Sequence, residues 1–382
     1  MLQKYNTFLQ QKIFNFDLLL ALRGIMAISV VFYHFFIDKE TIKSNFFKYF
    51  LYALDGSGAV LVFYILSGYL MFKLFATGRY KLNNLWSFYR ARLNRILPLY
   101  WGVLVIIGLL IYGTFWQPGN RLDFFKLFTM TQYLGGQDFV LEKYRWFSVT
   151  WSLIIEMQFY LIVPFVFWLF NKFKNLYLQL GLLAIFAHLS TFETILYLAS
   201  NYRLQGFFGR NVAGYLPFFL VGGMIALILN SHKTISSWLS RLSFLLPLLL
   251  FGLIAIPAYI RIFVPPFNSN IIFVLFTAFI IAIFESFAWG HKPAKWNYQA
   301  KDILNIKKLL EILGHLSFSI YIWHLFVIYQ IGGFITIANF GFLTAFQFAV
   351  LQKVVTLVMI LAVSFCSFQT LEKIQIFKSP KS

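Results

Sequence analysis

Apolar runs dominate this chain, and their lengths set the expected fold. Runs of roughly membrane-spanning length recur at about 17–37, 50–72, 96–115, 151–170, 176–190, 212–229, 242–260, 270–288, 312–338 and 343–369. Each approaches the ~20 residues that carry an α-helix across a bilayer. Hydrocarbon offers no partner for backbone N–H and C=O groups, so such runs must close their hydrogen bonds internally, as helices. The pattern predicts an all-α polytopic membrane protein with about ten transmembrane helices. The 176–190 run is the shortest and holds His188, and the 343–369 run holds Lys353, expected toward its water-facing end.

The polar positions between the runs orient the set. With the N-terminus inside, cytoplasmic segments hold twenty Lys and Arg residues and outer segments ten, while Arg23 and Lys353 lie within spans. That bias predicts that both termini are cytoplasmic. Residues 1–16 read as an amphipathic cytoplasmic N-terminus, because the first apolar run is too long for a cleavable signal and lacks a small-residue exit. A membrane domain is expected over 17–373, followed by a cytoplasmic tail over 374–382.

Composition changes the picture only by exclusion. The chain is 60% hydrophobic and 12% charged, against the ~25% charged residues usual in soluble domains. Its net charge of +19 is dispersed among apolar helices, which fits positive cytoplasmic loops and argues against nucleic acid. The single cysteine, Cys366, leaves no disulfide or thiolate metal site within one chain. The six histidines are scattered, with no H-E-x-x-H pattern, so no metal is expected. Neither a Walker loop nor a G-x-S-x-G elbow occurs.

The informative polar residues are those inside the spans. Arg23 and His34 share the first apolar helix, and eleven residues at 100° each return them to nearly one face, about 16 Å apart in depth. Ionisable groups in spanning helices are costly and usually line a polar path. Arg92 and Arg95, in RARLNRILPLY at the start of the third span, are i,i+3 neighbours whose forked guanidiniums suit phosphate oxygens; an ordinary positive-inside anchor is the alternative, but Pro98 and the tight arginine spacing make the pattern more particular than an anchor requires. Ser152, Glu156 and Tyr160, in WSLIIEMQFY, fall on one stripe of the fourth span. Glu156 there needs a partner or a proton. The topology brings it near the depth of His34, and a His–Glu couple is a common general-base arrangement. In GHLSFSIYIWH of the ninth span, Ser317, Tyr321 and His324 share a face, with His315 opposite and near the cytoplasmic interface. The small residues of GSGAVLVFYILSGYL and the Gly222-Gly223 pair read as close helix packing.

Taken in order, LRGIMAISVVFYH, FYILSGYL, RLNRILPLY, WSLIIEMQFYL and LGHLSFSIYIWH resemble the acyltransferase family 3 membrane proteins, over about residues 16–373. Two departures stand out: Leu61 occupies the place of a polar or acidic residue in the second-span motif, and Leu371-Glu372-Lys373 lacks the family's closing proline. The resemblance implies transfer of an acyl group, most often acetyl, from cytoplasmic acyl-CoA to a hydroxyl of an extracytoplasmic or lipid-linked carbohydrate, in the bacterial cytoplasmic (inner) membrane. It implies that acyl-CoA is the donor substrate, with no permanently bound cofactor. Carried over residue by residue, Arg92 and Arg95 hold the donor's phosphates and Arg23 polarises or positions the thioester arm. His34 deprotonates the acceptor hydroxyl or carries the acyl group transiently, with Glu156 as its partner. Ser152, Tyr160, Tyr321 and His324 line the cavity. Some family members append an extracytoplasmic hydrolase-like domain, for which this chain leaves no room.

Aromatic residues of the 116–150 segment (Trp116, Tyr133, Tyr144 and Trp146) are placed to stack on sugar rings or to form an interfacial belt. A secondary transporter or flippase of lipid-linked glycans would share the spans and buried charges. It would also be expected to show internal repeats with interrupted helices, and no convincing repeat is visible.

Overall fold

A computed structural model describes residues 17–35, 56–111, 113–132, 143–173, 175, 178, 181, 211–231, 233–246, 248–250, 252–253, 256, 270–288, 297–334 and 344–377. Among these residues the chain is helical, with no strand. The principal helices are α1 (Leu18–Phe35), α2 (Gly56–Ala76), α3 (Leu85–Val105), α4 (Arg121–Phe128), α5 (Trp151–Lys172), α6 (Val212–Ser231), α7 (Lys233–Ser240), α8 (Asn270–Ala288), α9 (Ile306–Phe334) and α10 (Ala345–Gln369). Seven helical segments among the described residues are long and apolar enough to cross a membrane, on α1, α2, α3, α5, α6, α9 and α10, and a shorter apolar stretch, Val274–Ser286, lies within α8. The expected span at 176–190 and the amphipathic residues 1–16 fall largely or wholly outside the described residues, and the expected span at 242–260 falls outside them in part.

Helix boundaries depart from the hydropathy pattern in an informative way. The third helix begins at Leu85, not near 96, so Arg90, Arg92 and Arg95 stand on the body of the spanning helix. Charge lowers hydropathy without breaking a helix, since Arg is a good helix former. A π-helical turn, Ile106–Ile111, continues α3 beyond Val105. The second helix extends through Lys73 to Ala76, and Gly78, at φ +72°, marks the turn that follows it.

The chain divides into two compact units: Met1–Asn83 with Ile162–Thr191 and Tyr215–Ser317, and Asn84–Leu161 with Phe192–Gly214 and Phe318–Ser382. In the first, α1 and α2 pack together, and glycines permit backbone-to-backbone approach. A Cβ on Gly68 would lie 1.9 Å from the Phe219 carbonyl oxygen, and one on Gly222 would lie 1.9 Å from that of Ile65, so α2 and α6 touch through their main chains. Gly24 and Gly314 do the same for α1 and α9, a Cβ on Gly24 falling 2.6 Å from the Gly314 nitrogen. The Gly222-Gly223 pair and the small residues of α2 thus serve packing, as their spacing suggested.

In the second unit, α3 is held at two levels. Tyr100 and Trp101 donate to the carbonyls of Leu127 and Phe128 at 2.8 and 2.9 Å. The Asn94 amide exchanges two hydrogen bonds with the backbone of Phe377, each 2.8 Å. Glu372, in the segment that lacks the expected proline, accepts from the Ser319 hydroxyl. On α10, Val350, Val354 and Val358 are exposed, as on a helix whose outer face meets lipid.

Candidate active site

Arg23 and His34 lie on α1 in the first unit, both half-buried. His34 is oriented from within its own helix, its Nδ1 lying 3.0 Å from the Val30 carbonyl oxygen. A carbonyl only accepts, so Nδ1 carries the proton and the neutral ring keeps its lone pair on Nε2. The Tyr33 ring packs edge-on against the imidazole at 5.2 Å. The local geometry therefore fixes which nitrogen is basic.

The other expected site residues lie in the second unit. The Tyr160 hydroxyl donates to the Glu156 carboxylate one turn before it. Arg92 reaches the same tyrosine, its Cζ 5.9 Å from the ring centroid, and Arg95 is close enough for its charge to act on the phenol. The structure thus joins Arg92, Tyr160 and Glu156 in one contiguous polar group. The Nε of Arg92 is buried and makes no hydrogen bond, which leaves a charged donor open to an anion. A second cluster forms around Tyr321, whose hydroxyl donates to the Val149 carbonyl at 3.0 Å and accepts from Ser152 at 2.7 Å. His324 is fully buried, and its Nδ1–H donates to the Tyr321 carbonyl at 2.7 Å. Its Nε2 is likewise the lone-pair nitrogen when the ring is neutral. Ser152, Tyr321 and His324 are thus brought together in the second unit. The His34–Glu156 couple joins residues of different units and stays a proposal.

Comparison with known proteins bears directly on this arrangement, since residues 17–368 match the acyltransferase domain of acyltransferase family 3. The chain belongs to this family. It is also similar to a "Peptidoglycan O-acetyltransferase OatA" from Listeria monocytogenes serovar 1/2a, with 26% identity over 340 residues, covering 80% of the chain and 48% of that protein. The chain therefore spans about half the length of the curated relative it matches. No solved structure matches it.

Three features of this acyltransferase domain escaped the sequence. Glu285, on α8, is 5% exposed and accepts from both the Tyr69 hydroxyl and the Lys73 ammonium of α2. An acid alone in the 270–288 span is the sequence signal that Glu285 has an internal partner. Glu311, 3% exposed, accepts the Asp17 backbone N–H at 2.8 Å and the Tyr298 hydroxyl at 3.0 Å. Burial, together with the Glu311 carboxylate, pushes the Tyr298 phenol above the usual tyrosine range. Third, the described residues of the 116–150 segment form a packed element and not an open aromatic platform. Tyr144 and Trp146 are buried, the Tyr144 ring lying 5.1 Å from Phe115, so neither is available to stack on a sugar. Trp116 is exposed, and Tyr133 lies outside the described residues. Asp123 binds Lys143 and the Tyr144 hydroxyl, each at 2.9 Å, and its hydrogen bond holds the Lys143 ammonium above the usual lysine range.

Proposed function

We propose that this chain is a membrane O-acetyltransferase that moves an acetyl group from cytoplasmic acetyl-CoA to a hydroxyl of an extracytoplasmic carbohydrate, a peptidoglycan-type glycan being the first acceptor to try. The observation that carries the reading is Arg92: a guanidinium laid over Tyr160, with a buried Nε that makes no hydrogen bond. A polar group of this kind, inside a chain that otherwise buries hydrocarbon, suits the anionic end of an acyl-CoA better than it suits packing. The name of the Listeria relative supports acetyl as the group and peptidoglycan as the acceptor class.

In this reading Arg92 and Arg95 bind the donor's phosphates and Arg23 stabilises negative charge developing on the thioester oxygen. The Nε2 of His34 takes the proton of the acceptor hydroxyl. The hydroxyl oxygen bonds to the acetyl carbon, the carbon–sulfur bond breaks, coenzyme A leaves as a thiolate that takes up a proton from the cytoplasmic solvent, and His34 releases the proton it accepted, which restores the base. Glu156 orients His34 and stabilises its charged form. The enzyme sits in the bacterial inner membrane, with both termini in the cytoplasm.

Purified protein in proteoliposomes, given radiolabelled acetyl-CoA outside or inside and peptidoglycan fragments on the opposite side, tests the whole reading. Label is expected in the glycan, and only when donor and acceptor face the proposed sides. Label confined to the donor across peptidoglycan, polysaccharide and lipid-linked acceptors would sink it.

A further inference from the structure

Helix α4 runs back alongside α3, and hydrogen bonds set its level at both ends. Just before it, Trp116 donates its indole N–H to the Leu109 carbonyl at 2.9 Å. At its far end, the Leu127 and Phe128 carbonyls accept from Tyr100 and Trp101. Leu109 and Trp101 are eight residues apart on one continuous helical run, about 12 Å along its axis. The eight residues of α4 cover the same length. The segment therefore lies against the body of α3, within the stretch Leu85–Ile111 that is long and apolar enough to cross a membrane.

The end of α4 is built for a place without water, where the last carbonyls of a helix must find partners in the protein. All four are occupied. Phe125 accepts from the Thr129 N–H at 3.0 Å and from its hydroxyl at 2.7 Å, and Lys126 accepts from the Thr131 N–H at 2.9 Å. Leu127 accepts from the Met130 N–H at 3.1 Å as well as from Tyr100, and Phe128 from Trp101.

Two opposite faces of α4 are apolar. The inner one packs on protein: Phe128 stacks on Trp101 at 4.6 Å, Phe124 lies 5.1 Å from Phe115, and Leu127 is fully buried. The other presents Leu122 and Phe125, i,i+3 neighbours that are each 61% exposed. At 100° per residue, Arg121 and Lys126 fall on either side of that stripe. The stripe continues the surface of α3, where Leu110 and Ile111 are also exposed. An apolar stripe between two cations, on a helix seated beside a spanning segment, matches lipid: acyl chains cover the stripe, and the long basic side chains reach up to phosphates.

We propose that the exposed face of α4 is a binding surface for anionic phospholipid, with Leu122 and Phe125 among the acyl chains and Arg121 and Lys126 on the headgroup. The surface is separate from the acetyl-transfer reading, and its test needs no substrate.

The full chain, in a Cys366→Ser background, carries a nitrobenzoxadiazole label on Leu122→Cys or Phe125→Cys in mixed phosphatidylcholine–phosphatidylglycerol vesicles. A label on Asn83→Cys, exposed in the turn before α3, gives the aqueous reference. Both α4 labels are expected to emit to the blue of the reference. They should lose fluorescence to doxyl-labelled lipid and be protected from aqueous iodide. Doxyl-phosphatidylglycerol should quench them a few-fold more effectively than doxyl-phosphatidylcholine, because cations near a membrane surface favour anionic lipid. Arg121→Gln with Lys126→Gln should abolish that preference while the blue shift stays. Water-like emission with iodide quenching at both positions overturns the proposal. So does a blue shift that neither quencher reduces, which would mean that protein, such as a second copy of the chain, covers the face. Equal quenching by the two doxyl lipids overturns the assignment of anionic lipid.

Discussion

At the scale of single residues, the site divides into groups that must be charged and groups that must only be shaped. Glu156 separates the two. It accepts from Tyr160 on its own helix, so Glu156→Gln keeps the shape and the hydrogen bond but cannot stabilise an imidazolium. Turnover is expected to fall about 10²–10⁴-fold, the usual cost of losing acid–base help, with little change in melting temperature. Glu156→Ala strips Tyr160 of its acceptor and should also destabilise the fold by about 1–3 kcal/mol. Full activity in the Gln variant would remove Glu156 from the chemistry. His34→Ala should abolish transfer while insertion in the membrane is retained, and wild-type turnover would exclude His34 as the base. Arg92→Ala and Arg95→Ala should raise the KM for acetyl-CoA more than they lower kcat, because phosphate binding is remote from the bond that breaks. Unchanged CoA affinity in the double variant, at low and high salt, would reduce these arginines to topological anchors.

At the scale of elements, two devices hold the first unit together, and each predicts its own failure. Main-chain contact between α2 and α6 leaves no space for a methyl group at Gly222, whereas a Cβ on Gly119 meets nothing within 4 Å. Gly222→Ala should therefore lower stability by about 1–3 kcal/mol through forced separation of the helices, and Gly119→Ala should be neutral; thermal melts in one detergent compare them. The buried pair of Lys73 and Glu285, whose side chains are 16% and 6% exposed, predicts a different pattern. Lys73→Met leaves an uncompensated carboxylate and should cost about 3–5 kcal/mol. Lys73→Met with Glu285→Gln should recover much of that loss. If the double variant is as unstable as the single one, the pair contributes through shape and not charge.

At the scale of the whole molecule, the expected orientation turns on which loops meet which solvent. In a Cys366→Ser background, cysteine at Gly78 should react with a membrane-impermeant maleimide only from the cytoplasmic side, and cysteine at Gln117 only from the outside. Both positions lie between spanning helices. Labelling of both from one side would break the ten-span topology, and labelling of each from the opposite side would invert it, and with it the direction of transfer proposed here.

What the sequence determined by itself was whatever depends on a run or a period. Apolar lengths near 20 residues dictated helices, because hydrocarbon permits little else. The i,i+4 and i,i+8 spacing put Glu156 and Tyr160 on one stripe, and their hydrogen bond follows from that spacing alone. Tyr321 and His324 met in the same way. Tertiary structure decided what depends on which helix lies beside which. No local pattern pairs Lys73 with Glu285, 212 residues away, or Asp17 with Glu311, 294 residues away. Nor does a pattern distinguish Trp116, exposed, from Trp146, buried, since both sit in one aromatic-rich segment. The physical reason is common to all three. Hydropathy and periodicity report how one helix meets its solvent, whereas the partner of a buried charge or ring is set by packing between helices, where a glycine crossing selects the neighbour.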